Sequence, residues 1–198
     1  MRFEKLHIGF ALTGSHCTLG QVMGVIRQLV EEGADITPIV SESVNTVDTR
    51  FGEAAYWKAR LKEITGKDPI RTIPEAEPIG PGKFFDCMVI APCTGNTLAK
   101  LANGITDTPV LMATKAHLRN LGPVVIAIST NDGLGVNAKN IGALLLAKNI
   151  YLVPFGQDSP LKKTNSLVAQ MNKIPDTILM ACQGKQIEPL LVEITSSE

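Results

Sequence analysis

The chain of 198 residues has no surplus of either charge, with 19 Lys and Arg against 19 Asp and Glu. A general nucleic-acid binder needs a basic excess, so that class is excluded. No apolar run reaches the roughly 18–20 residues that a membrane-crossing helix requires. The stretch from Met1 to His7 lacks the apolar core of a signal peptide. No CxxC pair exists among Cys17, Cys87, Cys93 and Cys182, and His7, His16 and His117 lack metal-ligand spacing. Neither a zinc site nor a disulfide framework is expected, and scattered cysteines in a chain of this size read as reduced and cytoplasmic. The dinucleotide fingerprint GxGxxG is also missing, because the next glycine after Gly14 is Gly20. That points away from a nicotinamide dinucleotide and toward a mononucleotide or flavin. Gly80-Pro81-Gly82-Lys83 lacks the spacing and the following Ser or Thr of a P-loop.

What is present is an alternation of apolar strands and amphipathic helices. Strands are expected at 6–12, 36–40, 87–91, 123–128 and 150–154, with a short one near 70–73. Helices are expected at 18–32, 46–64, 97–103, 108–120 and 137–148, and at 164–184 with an interruption at Pro175. Pro38 suits an edge strand. The strands are apolar without strict alternation, so both faces of the sheet are covered. The expected fold is a single doubly wound, Rossmann-like α/β domain with a mostly parallel sheet and helices on both faces. It spans 1–184, followed by a C-terminal tail at 185–198.

Four strand-ending turns carry small, hydroxyl or amide residues: Thr13-Gly14-Ser15-His16, Ser41-Glu42-Ser43, Thr94-Gly95-Asn96-Thr97 and Ser129-Thr130-Asn131. In a parallel sheet all four lie on the carboxyl edge, where ligands bind against helix N-termini. Each alone reads as a helix cap; together they predict a site for a phosphate-bearing cofactor. Cys93 is expected to pack inside. His117, between Lys115 and Arg119, is expected on a solvated helix face.

The run Ala91-Pro92-Cys93-Thr94-Gly95-Asn96-Thr97-Leu98-Ala99-Lys100, continuing to Gly104-Ile105-Thr106-Asp107, resembles the AP-x-SANT-hydrophobic-AK-x-A-x-GI-x-D motif of the flavoprotein superfamily of oligomeric flavin-containing cysteine decarboxylases. Gly14-Ser15-His16 resembles that family's first flavin turn and Ser41-Glu42-Ser43 its second, and Ser129-Thr130-Asn131 stands in the place of its PAMN turn. The resemblance implies an FMN site between subunits of a homo-oligomer, a trimer or a multiple of trimers. It implies that Gly14, Ser15, His16, Ser41, Ser43, Thr94, Gly95, Asn96, Thr97 and Ser129 hold the cofactor, with Asn131 facing the substrate. The family's catalytic His has no counterpart, since no histidine occurs in 17–116; Pro78 stands there beside Glu77. His16 or Glu77 is therefore the candidate base.

Within the superfamily, Ile8 to Thr18, the Ile90 to Asp107 motif and Val153 to Asp158 are most similar to a two-subunit branch. That similarity implies a partner A subunit carrying NADP or NAD. It further implies joint oxidation of a dihydropyridine dicarboxylate, or its hydroxy-tetrahydro precursor, in the mother cell of a spore-forming bacterium. A flavin-dependent decarboxylase of another acid and a non-catalytic scaffold subunit remain as alternatives.

Overall fold

The structure is a computed structural model that describes residues 1–194. Its first half alternates β1 (His7–Leu12), α1 (Leu19–Glu31), β2 (Asp35–Val40), α2 (Glu42–Thr46) and α3 (Ala54–Thr65), then the short α4 (Ile73–Ala76) and α5 (Ile79–Gly82). The second half runs β3 (Cys87–Cys93), α6 (Gly95–Ala102), α7 (Pro109–Arg119), β4 (Val124–Thr130), α8 (Ala138–Leu145), β5 (Ile150–Leu152), β6 (Phe155–Gly156), β7 (Leu167–Ala169) and α9 (Ile174–Cys182).

The sheet order is β2-β1-β3-β4-β7-β6, with β5 also paired to β4. β2, β1, β3, β4 and β5 are mutually parallel. All of β3, and β4 from Val124 to Ser129, are buried. This is the double cover that their unbroken apolar runs predict. On one face α1 packs with α3 and α9; on the other α6 packs with α7 and α8. The apolar periodicity of α1 sends Leu19, Val22, Met23, Ile26 and Leu29 into the core. Pro38 does lie on the edge strand, and its carbonyl accepts from Ile70 N at 2.9 Å. The strand expected near 70–73 is reduced to that single bridge at Ile70.

The chain departs from the sequence expectation in four places. The helix expected at 46–64 is two helices, because Thr49 and Gly52 exchange backbone hydrogen bonds in a tight turn between them. Gly52 has φ +145°, and a Cβ there would meet the Trp57 ring at 2.9 Å. The Pro-rich segment before β3 holds the short helices α4 and α5; Thr72 and Glu75 close a capping box on the first. At 164–184 the first part is the strand β7, and Pro175 sits in the first turn of α9 rather than breaking it. His117, expected on a solvated face, is 3% exposed. Its Nε2 lies 3.1 Å from Pro123 O, and only a glycine at 122 leaves room for the ring.

β4 has a divided outer edge. Its first half, Val124 to Ile126, pairs with β5 in parallel, whereas Ser129 and Thr130 pair with β7 antiparallel. β5 ends before Pro154, which has no N–H to continue a ladder, and the chain peels away into β6. Part of the expected tail is ordered against this edge. The Gln186 side chain bonds Leu152 N and O at 2.9 and 2.7 Å, and Leu191 bridges Phe155. The end of that tail, 195–198, lies outside the described residues.

Candidate functional site

The carboxyl ends of β1, β2, β3 and β4 place the four turns side by side. β3 loses register between Ile90 and Cys93, at Ala91-Pro92. That irregularity leaves the Pro92 carbonyl to accept from Thr13 Oγ1 at 2.6 Å, while Thr13 Oγ1 accepts from Thr94 N at 2.9 Å. One buried hydroxyl thus pins the first turn to the third. The first turn leans across β3 and reaches β4, where Ser15 Oγ and Ser129 Oγ lie 2.7 Å apart. His16 Nε2 is 3.1 Å from Ser43 Oγ, which ties the first turn to the second.

A cavity of about 510 Å³ opens over these ends, lined by Gly14, Ser41, Ser43, Thr94, Asn96 and Thr97 among the expected residues. Ser15, His16 and Ser129 adjoin it through the bonds just described. Gly14 is required by close approach, since a Cβ there would fall 2.6 Å from Ser43 Oγ. Thr94 caps α6, accepting from Thr97 N at 3.3 Å and donating to Thr97 Oγ1 at 3.1 Å. The cap reading and the ligand reading therefore coincide in one turn. Cys93 packs inside as expected, and burial pushes its thiol up to about 12, so it is no thiolate at neutral pH.

Gly95, which stands where the family motif has Ala, has a local cause. A Cβ at 95 would lie 2.5 Å from Thr130 Oγ1, 2.6 Å from Asn137 Nδ2 and 2.8 Å from Asp132 Oδ1. Those groups form one cluster: Thr130 donates to Asp132, and Asn137 Nδ2 donates to both Asp132 carboxylate oxygens at 2.9 Å. These hydrogen bonds hold the Asp132 carboxyl below the usual carboxylate range, the Thr130 hydroxyl contributing most. The chain of amides continues through Asn140 to Asn103, joining α8 to α6. Asn131 itself is exposed, and its Oδ1 receives Ser166 Oγ at 3.5 Å.

Burial lowers His16 below its ordinary value, and among the described residues its buried Nδ1 has no hydrogen-bond partner. Glu77 is not brought to this edge. It lies in a separate depression with Gly80, Met112, Lys115 and Arg119, beside the second half of α7. Sequence reasoning missed Lys100, Thr46 and Thr108, which line the cavity. Lys100 was legible by spacing, since it follows Thr97 by one helical turn; its Nζ pairs with Asp107 at 2.7 Å. The Asp132–Asn137 cluster carried no spacing signal, because its members meet only after the 131–137 loop folds back. A depression of about 590 Å³ lies between α1 and the segment 168–172. It is larger, and Thr18 at the start of α1 lines it, but it gathers none of the four strand-ending turns.

The geometry fits a flavin mononucleotide: hydroxyl donors at a helix N-terminus, a glycine where a side chain would close the cradle, and an unpartnered imidazole nitrogen. The flavoprotein family profile matches residues 2–182. The B subunit of dipicolinate synthase from Bacillus subtilis (strain 168) is 53% identical over 186 residues, 94% of this chain and 93% of that one. The crystal structure of the corresponding B subunit from Bacillus halodurans is 52% identical, with TM-score 0.90 over 98% of this chain and 99% of that one. More distantly, Burkholderia xenovorans DmrB in complex with FMN, a cubic protein cage for redox transfer, shares the fold at 21% identity and TM-score 0.62, over 75% of this chain and 87% of that one. The chain belongs to the flavoprotein family, in the branch that holds the dipicolinate synthase B subunits.

Proposed function

We propose that this chain acts as the B subunit of a dipicolinate synthase, oxidising dihydrodipicolinate, or its hydroxy-tetrahydro precursor, to dipicolinic acid together with a nicotinamide-binding A subunit. The observation that carries this reading is the likeness to the Bacillus subtilis protein, 53% identical over 94% of this chain. Under it the A subunit binds NADP or NAD, the pair works in the mother-cell cytoplasm during sporulation, and the B chains form a homo-oligomer built from trimers.

FMN is the cofactor that the strand-end cavity suits. Gly14, Ser15, Thr94, Gly95, Asn96 and Thr97 would hold its phosphate and ribityl side, and Ser41 and Ser43 would close the far wall. When bound, the flavin supplies a two-electron acceptor or donor. Ser129 and Asn131 sit at the β4 end, where Asn131 can orient a substrate carboxylate by its amide. Loss of hydride is driven by aromatisation of the product, so the protein needs mainly to position two carboxylates and take a proton. His16, lowered by burial and hence neutral at neutral pH, is the group placed to take it. Glu77 faces a different depression, so the base role goes to His16.

The test is an absorbance spectrum of the purified chain with mass analysis of any released ligand, followed by reconstitution with the A subunit and NADP. A yellow protein releasing FMN, and a dipicolinate-forming rate that falls at least tenfold in Asn131→Ala, support the reading. A colourless protein with no saturable flavin quench sinks the cofactor assignment. A rate untouched by Asn131→Ala and Thr97→Val leaves the chain as a scaffold, and carbon dioxide release by the chain alone makes it a decarboxylase.

A further inference from the structure

The strand-end cavity has one cation that the flavin contacts named above leave unused. Among the described residues, Lys100 is the one basic side chain that lines it. Lys100 follows Asn96 by four positions and Thr97 by three, so all three share one face of α6 and one wall of the cavity. Its Nζ pairs with Asp107 Oδ2 at 2.7 Å, and the two partners are unequally placed: the lysine side chain is 26% exposed, the aspartate 53%. A mostly covered ammonium needs an anion beside it in every state of the site, whereas a half-exposed carboxylate is served by water when its partner leaves. Asp107 can therefore lose Lys100 to solvent, but Lys100 can lose Asp107 only to another anion.

Position tells which anion that is. Lys100 shares the cavity with Thr46, at the end of α2 beyond β2, and with Thr108, the cap of α7. Thr108 Oγ1 accepts from Leu111 N at 3.2 Å, which leaves its own proton to donate. Asn131, the residue given to the substrate, follows β4; β1 and β3 stand between β2 and β4, and neither Asn131 nor Ser129 lines the cavity. The anion that meets Lys100 thus belongs to the cofactor end, not to the substrate dicarboxylate. Glu42, the other charged residue on the wall, is exposed in the first turn of α2, where solvent screens it.

We propose that Lys100 makes the site select a phosphorylated flavin: it gives up Asp107 for the phosphate of flavin mononucleotide, and Asp107 holds it in place until then. This rests on the flavin reading of the cavity and is independent of the reaction that the flavin serves. Asp107 then competes with the ligand, so the two halves of the ion pair act on binding with opposite sign. A pair that only braced the connection between α6 and α7 would act with one sign, because losing either half would loosen the same loop.

The test titrates FMN and riboflavin, which share ring and ribityl chain and differ by the phosphate, into the full chain freed of bound flavin, and reads Kd from fluorescence quenching. The wild-type chain is expected to prefer FMN by about tenfold or more, and Lys100→Met to weaken FMN about tenfold while riboflavin stays within about twofold. Lys100→Arg should restore most of the FMN affinity. Asp107→Asn, a surface change, should tighten FMN about threefold with riboflavin again unmoved. The riboflavin titration shows in the same sample that each variant is folded; if Lys100→Met does not fold, the wild-type preference and Asp107→Asn decide. An FMN-to-riboflavin ratio that Lys100→Met leaves unchanged overturns the proposal, and so does an Asp107→Asn that weakens FMN. A wild-type chain that binds riboflavin as tightly as FMN overturns it while the flavin reading stands, whereas one that binds neither sinks both.

Discussion

At the amino edge of the sheet, charges meet each other. His7 Nδ1 lies 3.2 Å from Asp35, Lys67 Nζ reaches the same carboxylate at 2.5 Å, and Asp86 accepts from the His7 backbone at 2.8 Å. At the carboxyl edge the polar groups are mostly neutral hydroxyls and amides, arranged around open space, and a buried imidazole nitrogen is left over. Both edges are polar, but one closes its own hydrogen bonds and the other offers them. Neutral donors around a cavity suit a ligand that brings its own charge. A self-paired cluster suits a surface that needs no ligand.

The sharpest way to break this contrast is to fill the open edge. Gly95→Ala forces a Cβ into the Thr130–Asp132–Asn137 cluster, and we expect a loss of about 1–3 kcal/mol in urea unfolding together with loss of flavin retention. Retained stability and flavin would mean the cluster yields freely and does not define the turn. Next in size is Asp132→Ala, which strands the buried Asn137 amide and should cost about 1–3 kcal/mol.

The two edges should also separate by pH. His117, at the amino edge, has its folded value lowered by burial. Its contribution is complete above the ordinary 6.5 and declines as pH falls from there toward the lower folded value, because the unfolded imidazole charges first. Asp132 is likewise depressed, by hydrogen bonds. Its contribution is complete above the ordinary carboxylate range and is lost as pH falls through the folded value below it. Thermal midpoints against pH should thus show two steps. Asp132→Asn should diminish the lower one, and His117→Gln the upper, to which the similarly lowered His16 also contributes. The smallest effect belongs to the paired charges. Lys67→Met breaks one part-exposed ion pair, with Asp35, so it should cost about 0.2–1 kcal/mol and leave flavin retention unchanged; a change in flavin would mean that the edges communicate.

The fold was legible because β1, β3 and β4 are apolar runs long enough to be nothing but buried strands, and because Thr108-Pro109 marks a helix start by local chemistry alone. The four turns were legible for the same reason, since each directly follows a strand. What stayed hidden is decided at long range. β7 exists because Ser129 and Thr130 need a partner after β5 stops, and nothing in Leu167-Val168-Ala169 itself distinguishes strand from helix. His117 carries charged neighbours in sequence, yet Gly122 and Pro123 turn its ring inward. Glu77 drew attention by standing next to Pro78, in the place of the family's catalytic His, and the fold of α4 and α5 carries it elsewhere.

The divided edge of β4 also bears on the order in which the molecule is completed as it leaves the ribosome. β2, β1, β3, β4 and β5 can pair as soon as residue 152 has emerged, since every strand in that set precedes it. The upper end of β4, with Ser129 and Thr130, gains its neighbour only when residues 167–169 appear. A nascent chain halted between those two points would own the sheet and three of its turns while the fourth stayed unpaired. Ligand capture at this edge therefore waits for residues 167–169, with the cover that α9 gives the sheet following later still, and a truncation before residue 167 should be unable to hold a flavin.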